Sequence, residues 1–389
     1  MEFELTNEQR KYLGLEPVGI SWDLVELSKG YYLYFDGDIV RKYIAIEDDT
    51  YYEREMNETT DENRKILLPK TARGRSKKLT LATMQARPCF GVYFYFGKYG
   101  PTIANYTTQT IYFACDDRQY GGINGLRNWL ETWIAESTEE DLADIEYFKN
   151  AERRHCKFRE GDFFSFKIGR REYGFGRILL DISKLKKSED FKKQKHHGLS
   201  FMGRPLFVKV YHKISDLPET EIDAFSGCMA FPSQQILDNN FYYGEYKIIG
   251  HKELTTDELE FPISYGPSID VRDRNTVFLQ YGLIYREKNI TECSEFSNNK
   301  SSEDMGSIIE TDIYLNNSIG YNLDIVSDMP AMRRCIMEGS NAAWWESNRI
   351  YTIKHDMRNP ALYHVKQAVF ELFGLDADAD YSENLKKVT

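Results

Sequence analysis

The chain has 389 residues, of which 41% are hydrophobic, 29% charged and 14% aromatic. This composition excludes an intrinsically disordered chain, and the length is sufficient for two or three domains with cores of their own. The net charge of −11 disfavours nucleic-acid binding, because an acidic surface repels the phosphate backbone. No apolar run reaches the ~18 residues that a membrane span needs, and six widely spaced cysteines favour free thiols in a reducing compartment. We therefore expect a soluble, cytoplasmic protein that does not enter a membrane.

The first 150 residues predict an α+β domain. The aromatic run at 31–35, an Asp-Gly turn and the β-branched run at 39–46 are typical of a hairpin. An apolar stripe at 123–134 recurs at spacings of three and four residues and predicts a helix. A capping box predicts that the next helix begins at Ser137. We place the first domain at residues 1–152.

Two groups of charged side chains on predicted loops of this domain are candidate binding residues. An acidic rim that would face a basic protein partner consists of Asp36, Asp38, Asp48 and Asp49. A calcium loop is the alternative, but the glycine and the terminal glutamate of such a loop are missing. A basic cluster that could bind an anion consists of Lys70, Arg73, Arg75, Lys77 and Lys78. Its alternative is a solvated loop between strands.

Residues 158–181 are predicted to form two strands joined by a tight polar turn. In the first strand, Phe164 and Phe166 point to one face and the polar residues beside them to the other, the pattern of a half-buried strand. In the second strand, Gly174 and Gly176 share a face, so another backbone can approach there or the sheet can bend. We expect a small, strongly curved antiparallel sheet.

The same stretch resembles a known family. Residues 161–164 (GDFF) and 173–178 (YGFGRI) resemble the opening motif of the immunity protein 26 family. Segments at 206–211, 231–232, 246–250 and 277–282 resemble later parts of that family in the same order, and the likeness spans roughly residues 155–285. Members accompany toxins in bacterial polymorphic toxin and contact-dependent competition systems. The resemblance therefore implies a protein that binds a cognate toxin and neutralises it.

The second domain is predicted to span residues 153–389. Residues 184–195 are rich in lysine and predict a solvated loop, with a nucleic-acid-binding patch as the alternative. Trp344 and Trp345 would be partner anchors if exposed and core residues if buried. A last helix is predicted to begin at Asn359-Pro360. The whole chain is thus expected to be a β-rich α+β protein of two domains, with curved antiparallel sheets and flanking helices.

The sequence contains no catalytic or metal-binding motif that we could identify. It has no G-x-S-x-G, no H-E-x-x-H and no C-x-x-C, so we expect no cofactor and favour a binding protein over an enzyme. Two other functions stay open. One is a metal-dependent hydrolase of phosphoester or nucleotide substrates, and the other is a small barrel that binds peptide or nucleic acid. The sequence also leaves open whether the chain forms a homo-oligomer.

Overall fold

The chain divides into two compact units, the first with residues 1–156 and 243–245, the second with residues 157–242 and 246–389. Both contain helices and antiparallel sheets, which confirms the α+β class. The computed structural model describes residues 3–47, 49–69, 74–115, 122–187, 189–193, 204–268, 275–293, 328–347 and 356–388, together with residues 199, 272, 273, 323 and 326.

Unit 1 is built on an antiparallel sheet. Its strands are β1 (Asp23–Ser28), β2 (Tyr31–Asp36), β3 (Ile39–Glu47), β4 (Thr50–Asp61), β5 (Ile66–Leu67), β6 (Lys77–Lys78), β7 (Phe90–Gly97), β8 (Gly100–Asn105) and β9 (Thr110–Ala114). The order is β1-β2-β3-β4-β7-β8-β9, and the two-residue strands β5 and β6 extend from β4. Its helices are α1 (Asn7–Tyr12), α2 (Leu81–Gln85), α3 (Gly122–Ala135) and α4 (Glu139–Lys149).

Local sequence explains most of these elements. Strands β2 and β3 form the predicted hairpin. Asp36 pairs with Ile39 next to the turn that contains Gly37. The predicted apolar stripe becomes α3, whose Leu126 and Leu130 are fully buried. Helix α4 begins at Glu139, two residues later than predicted. Its cap is Thr138 in place of Ser137, and the Thr138 hydroxyl accepts the N–H of Asp141.

The sheet of unit 1 is covered on both faces. Tyr34 belongs to the core that includes helix α3, whereas its neighbour Phe35 belongs to a second core with Met84 of α2. Successive residues of a strand point to opposite faces, so each strand contributes to both cores.

Unit 2 contains two antiparallel sheets. The first comprises β10 (Asp162–Lys167), β11 (Tyr173–Asp181), β12 (Pro205–Ser215), β13 (Gln234–Leu237) and β14 (Lys247–His251), in the order β13-β12-β11-β10-β14. The second comprises β15 (Ile263–Pro267), β16 (Thr276–Tyr281) and β17 (Ile284–Asn289). In the described residues the first sheet is open, with edges at β13 and β14, so the prediction of a small barrel is wrong.

Helices and short 3₁₀ turns cover these sheets. The helices are α5 (Ile182–Leu185), α6 (Glu189–Lys193), α7 (Asn239–Tyr242), α8 (Met329–Glu338), α9 (Ala342–Trp345), α10 (Tyr363–Leu372) and α11 (Tyr381–Val388). The 3₁₀ turns are Ile222–Phe225, Thr256–Glu258, Ile290–Cys293 and Pro360–Leu362. The predicted last helix is the 3₁₀ turn at Pro360 followed by α10, which packs Val365, Val369 and Phe370 against the second sheet. Of the helices described, none has the length and apolar character needed to cross a bilayer.

The alternating pattern of β10 predicted a strand buried on one face. In the structure β10 is buried on both faces. Phe164 and Phe166 pack into the core that contains helices α8 and α9. Phe163 faces the other way and stacks on Phe225 of the 3₁₀ turn, with ring centroids 5.3 Å apart. The sequence pattern missed this second core because residues distant along the chain cover that face.

Candidate functional site

The glycines of the β10–β11 hairpin make room for aromatic rings. Phe164 lies directly opposite Gly176 and Phe166 opposite Gly174. A Cβ on Gly174 would lie 2.6 Å from Cζ of Phe166, and one on Gly176 would lie 2.6 Å from the carbonyl oxygen of Lys209 as well as against the ring of Phe164. The space that the sequence predicted for a backbone is therefore filled mainly by phenyl rings from the paired strand.

Arg177 fastens the segment after β14 to the sheet. Its guanidinium donates to the carbonyl oxygens of Lys252 at 2.7 Å and Glu253 at 2.9 Å, and forms an ion pair with Glu258. It also lies over the ring of Phe163, 4.5 Å from the centroid. The residue is 3% exposed, so its charge is compensated within the protein rather than by water.

A second polar contact holds the other end of the same segment. The Asp162 carboxylate lies 2.8 Å from Nδ1 of His251, and Nε2 of that ring lies 3.1 Å from Glu253. The Lys252 N–H donates to the Gly161 carbonyl at 3.1 Å. Gly161 has a φ of +84°, which favours glycine. The first residues of the family-like motif therefore join the start of β10 to the end of β14.

The electrostatics of this network keep Glu258 charged. Partial burial opposes ionisation, but the Thr255 N–H and the charges of Lys209 and Arg177 outweigh it, so the pKa of Glu258 lies below its usual range. Lys209 reaches the same carboxylate at 3.2 Å. Sequence reasoning missed these residues as a group, although Arg177 interrupts an otherwise apolar strand, which is a visible signal.

An open groove lies between β14 and residues 219–222. Its volume is about 750 Å³ and its lining is Glu219, Thr220, Glu221, Ile222, Lys247, Ile248 and Ile249. Ile222 reaches under the strand, where a Cβ on Gly250 would lie 2.8 Å from its Cγ1. Lys247 and Glu219 form an exposed ion pair at 2.6 Å. Ile248 packs on the face of the sheet that carries Phe164, whereas Ile222 and Ile249 pack on the opposite face with Phe225, so the groove has apolar side chains on both faces of β14 and charged side chains at its rim.

The predicted acidic rim does not form one surface. Asp36 and Asp38 lie at the β2–β3 turn and Asp49 at the β3–β4 turn, while Asp48 lies outside the described residues. These two turns are at opposite ends of β3, a nine-residue strand of about 30 Å at ~3.3 Å per residue. Asp36 also pairs with Arg41 at 3.3 Å. The described members therefore do not lie side by side, and contact of any of them with a partner stays a prediction.

The predicted basic cluster is only partly described. Lys70 and Arg73 lie outside the described residues, and Arg75 is exposed. Lys77 and Lys78 form β6 and pair with Leu67 and Ile66. Neighbouring residues of a strand face opposite ways, so these two lysines do not converge on one anion. Anion binding by the other members stays a prediction.

Trp344 is a core residue and not an exposed anchor. It is 3% exposed and meets Phe231 edge-on, with centroids 5.8 Å apart. Trp345 is half-buried against the same core. The short helix α9 places both rings there, because the sheet face beneath it is apolar.

The lysine-rich stretch at 184–195 was predicted to be a loop, but its described part forms α5 and α6. Lys192 pairs with Glu189 at 2.7 Å and Lys184 lies 3.8 Å from Asp181. Lys195 lies outside the described residues. Across the described part of the chain, no three His, Cys, Asp or Glu side chains are placed to hold a metal ion.

The family model for immunity protein 26 matches residues 159–275. This match confirms the family resemblance seen in the sequence, and the N-terminal part lies outside it. The matched span contains the glycine-bearing hairpin, the Arg177 network and the groove along β14. No curated protein and no solved structure matches the chain.

Proposed function

We propose that the chain is a cytoplasmic, immunity-like protein that neutralises a cognate bacterial toxin by binding to it. The observation that carries this proposal is the match of residues 159–275 to the immunity protein 26 family. The net charge of −11 supports a basic partner, because opposite charge speeds encounter and penalises wrong partners.

The chemistry of the matched span supports binding over catalysis. Its buried charged residues are engaged within the protein: Arg177 with Glu258, and Asp162 with His251. Both contacts tie strands and turns together, which is a structural role. A surface that is rigid before binding loses less conformational entropy when the partner docks.

Co-production with the product of the adjacent gene tests this function. We expect the neighbouring protein to arrest growth when produced alone, and co-production of this chain to restore growth and yield a complex that survives size exclusion. As a control, an unrelated acidic protein of similar charge should neither bind nor protect. If no neighbouring product is toxic or binds, the proposal fails.

A further inference from the structure

The edge of the first sheet in unit 2 is available for pairing. Strand β14 is the last in its order and pairs with β10 on one side. Apart from that pairing, no backbone hydrogen bond made by Lys247–His251 is found within the described residues. An unpaired strand edge is a template for a strand from another chain.

The groove lies beside this edge. It is lined by Ile248 and Ile249 of β14 and by residues 219–222. Five residues of β14 span about 17 Å at ~3.3 Å per residue. Ile222, Ile248 and Ile249 are half-buried and offer apolar contacts to alternate side chains of an extended segment.

The acidic side chains of the groove favour a basic ligand. Two exposed carboxylates, Glu219 and Glu221, line the groove, and the exposed residues Lys252 and Glu253 directly follow β14. The cation in the lining, Lys247, is already paired with Glu219, and both side chains are more than half exposed. An exposed pair of this kind contributes little to stability, so it can open when another cation arrives.

We propose that an extended, basic segment of the toxin lies in this groove and adds to β14 as a sixth strand. This inference rests on the proposed function, because the partner is the toxin. Lysine or arginine side chains of that segment pair with Glu219 and Glu221, and its backbone bonds to the free edge of β14. Side chains between them contact Ile222, Ile248 and Ile249.

The test compares two charge-reversed forms of the full chain. The first is Glu219→Lys with Glu221→Lys, in the groove. The matched control is Glu338→Lys with Glu371→Lys, which changes net charge equally at exposed positions in the last turns of α8 and α10, where a lysine suits the helix dipole. Melting temperatures check that both forms fold.

Two probes are used: the toxic product of the adjacent gene, and an acetylated, amidated hexapeptide of alternating lysine and valine. We expect the groove variant to bind the toxin at least roughly tenfold more weakly than the control variant. With wild type, both probes should slow hydrogen exchange of the Lys247–His251 amides. The peptide should not slow exchange of these amides in the groove variant, and it should still slow their exchange in the control variant.

Each outcome counts for or against the inference. Equal toxin binding by the two variants overturns it and leaves the proposed function standing. Weaker binding without slower exchange in β14 overturns strand addition. If no toxin is found, the proposed function fails, and the peptide decides about the groove: protection of β14 that depends on Glu219 and Glu221 supports it, and no protection overturns it.

Discussion

Arg177 is a buried charge that holds the segment after β14 against the sheet. Its guanidinium is held by two carbonyl oxygens, the Glu258 carboxylate and the ring of Phe163. A buried ion pair contributes little net stability relative to apolar residues. Removal of Arg177, however, takes the donor from two carbonyl oxygens and leaves Lys209 as the remaining cation on Glu258, and a buried acceptor without a donor is costly. The cost of losing Arg177 should therefore far exceed the cost of losing an exposed arginine.

We expect Arg177→Met to destabilise unit 2 by about 3–5 kcal/mol and to speed hydrogen exchange in residues 252–258. The control is Arg333→Met, which removes an exposed ion pair with Glu172 and should cost less than about 1 kcal/mol. Denaturant unfolding and exchange mass spectrometry measure both. Similar costs for the two variants would show that the segment after β14 is held by other contacts.

Glu245 introduces a pH dependence into unit 1. Burial raises the pKa of its carboxyl to about 7, although it accepts a hydrogen bond from the Ile111 N–H at 2.9 Å. In the unfolded chain this group ionises near pH 4.5. Between these values the folded state holds a proton that the unfolded state has lost, so the stability contributed by this group falls as pH rises.

We expect Glu245→Gln to remove the loss of stability that wild type shows as pH rises. The amide oxygen still accepts the Ile111 N–H, and nothing is left to ionise. The free energy of unfolding of the variant, relative to wild type, should rise by about 2 kcal/mol from pH 4 to pH 8. This value is smaller than the full pKa shift implies, because the carboxyl keeps partial access to solvent. Urea titrations across this range measure the difference, and a difference that does not change with pH would contradict the assignment.

At the scale of elements, the β10–β11 hairpin depends on glycine at particular positions. A Cβ on Gly176 would meet both the ring of Phe164 and the backbone of β12, whereas the three atoms nearest to a Cβ on Gly174 all belong to the ring of Phe166. A phenyl ring can shift, but a strand carbonyl is fixed by its ladder. Added volume at Gly176 therefore meets the stiffer neighbour.

Gly176→Ala should destabilise the protein by about 1–3 kcal/mol, and Gly174→Ala by less. Gly169→Ala is the matched control, since the nearest atom to its new Cβ is a carboxylate oxygen 3.5 Å away, and it should be nearly neutral. Thermal unfolding of the three variants gives the order. A neutral Gly176→Ala would mean that β12 moves freely away from β11.

At the scale of the whole molecule, each unit has hydrophobic cores of its own. Unit 1 contains the cores around Trp129 and Leu33, and unit 2 contains those around Phe164, Phe175 and Val369. We propose that residues 1–152 and 153–389 are separate domains, since a domain that buries its own core can fold alone.

Production of the two fragments tests this division. Both should unfold cooperatively, and the fragment of residues 1–152 should lack the pH dependence assigned to Glu245, which it does not contain. Circular dichroism and heat denaturation measure this. A fragment without a cooperative transition would show that the two parts fold only together.

Local sequence by itself determined several of the elements and the family resemblance. The Asp-Gly turn between β2 and β3, the apolar stripe of α3 and the hairpin of β10 and β11 all act between near neighbours in the chain, so composition and spacing reveal them. The motif at 161–178 is likewise a local pattern, which is why it could be recognised without a structure.

Only the tertiary structure decided which groups meet. Arg177 is paired by residues 252–258, Trp344 is buried by Phe231, and Asp36 and Asp49 are parted by the length of β3. Burial and charge pairing depend on partners far along the chain, and the period of a single strand cannot specify them. The open edge of β14 is decided at the same level, since an edge exists only once the sheet has been assembled.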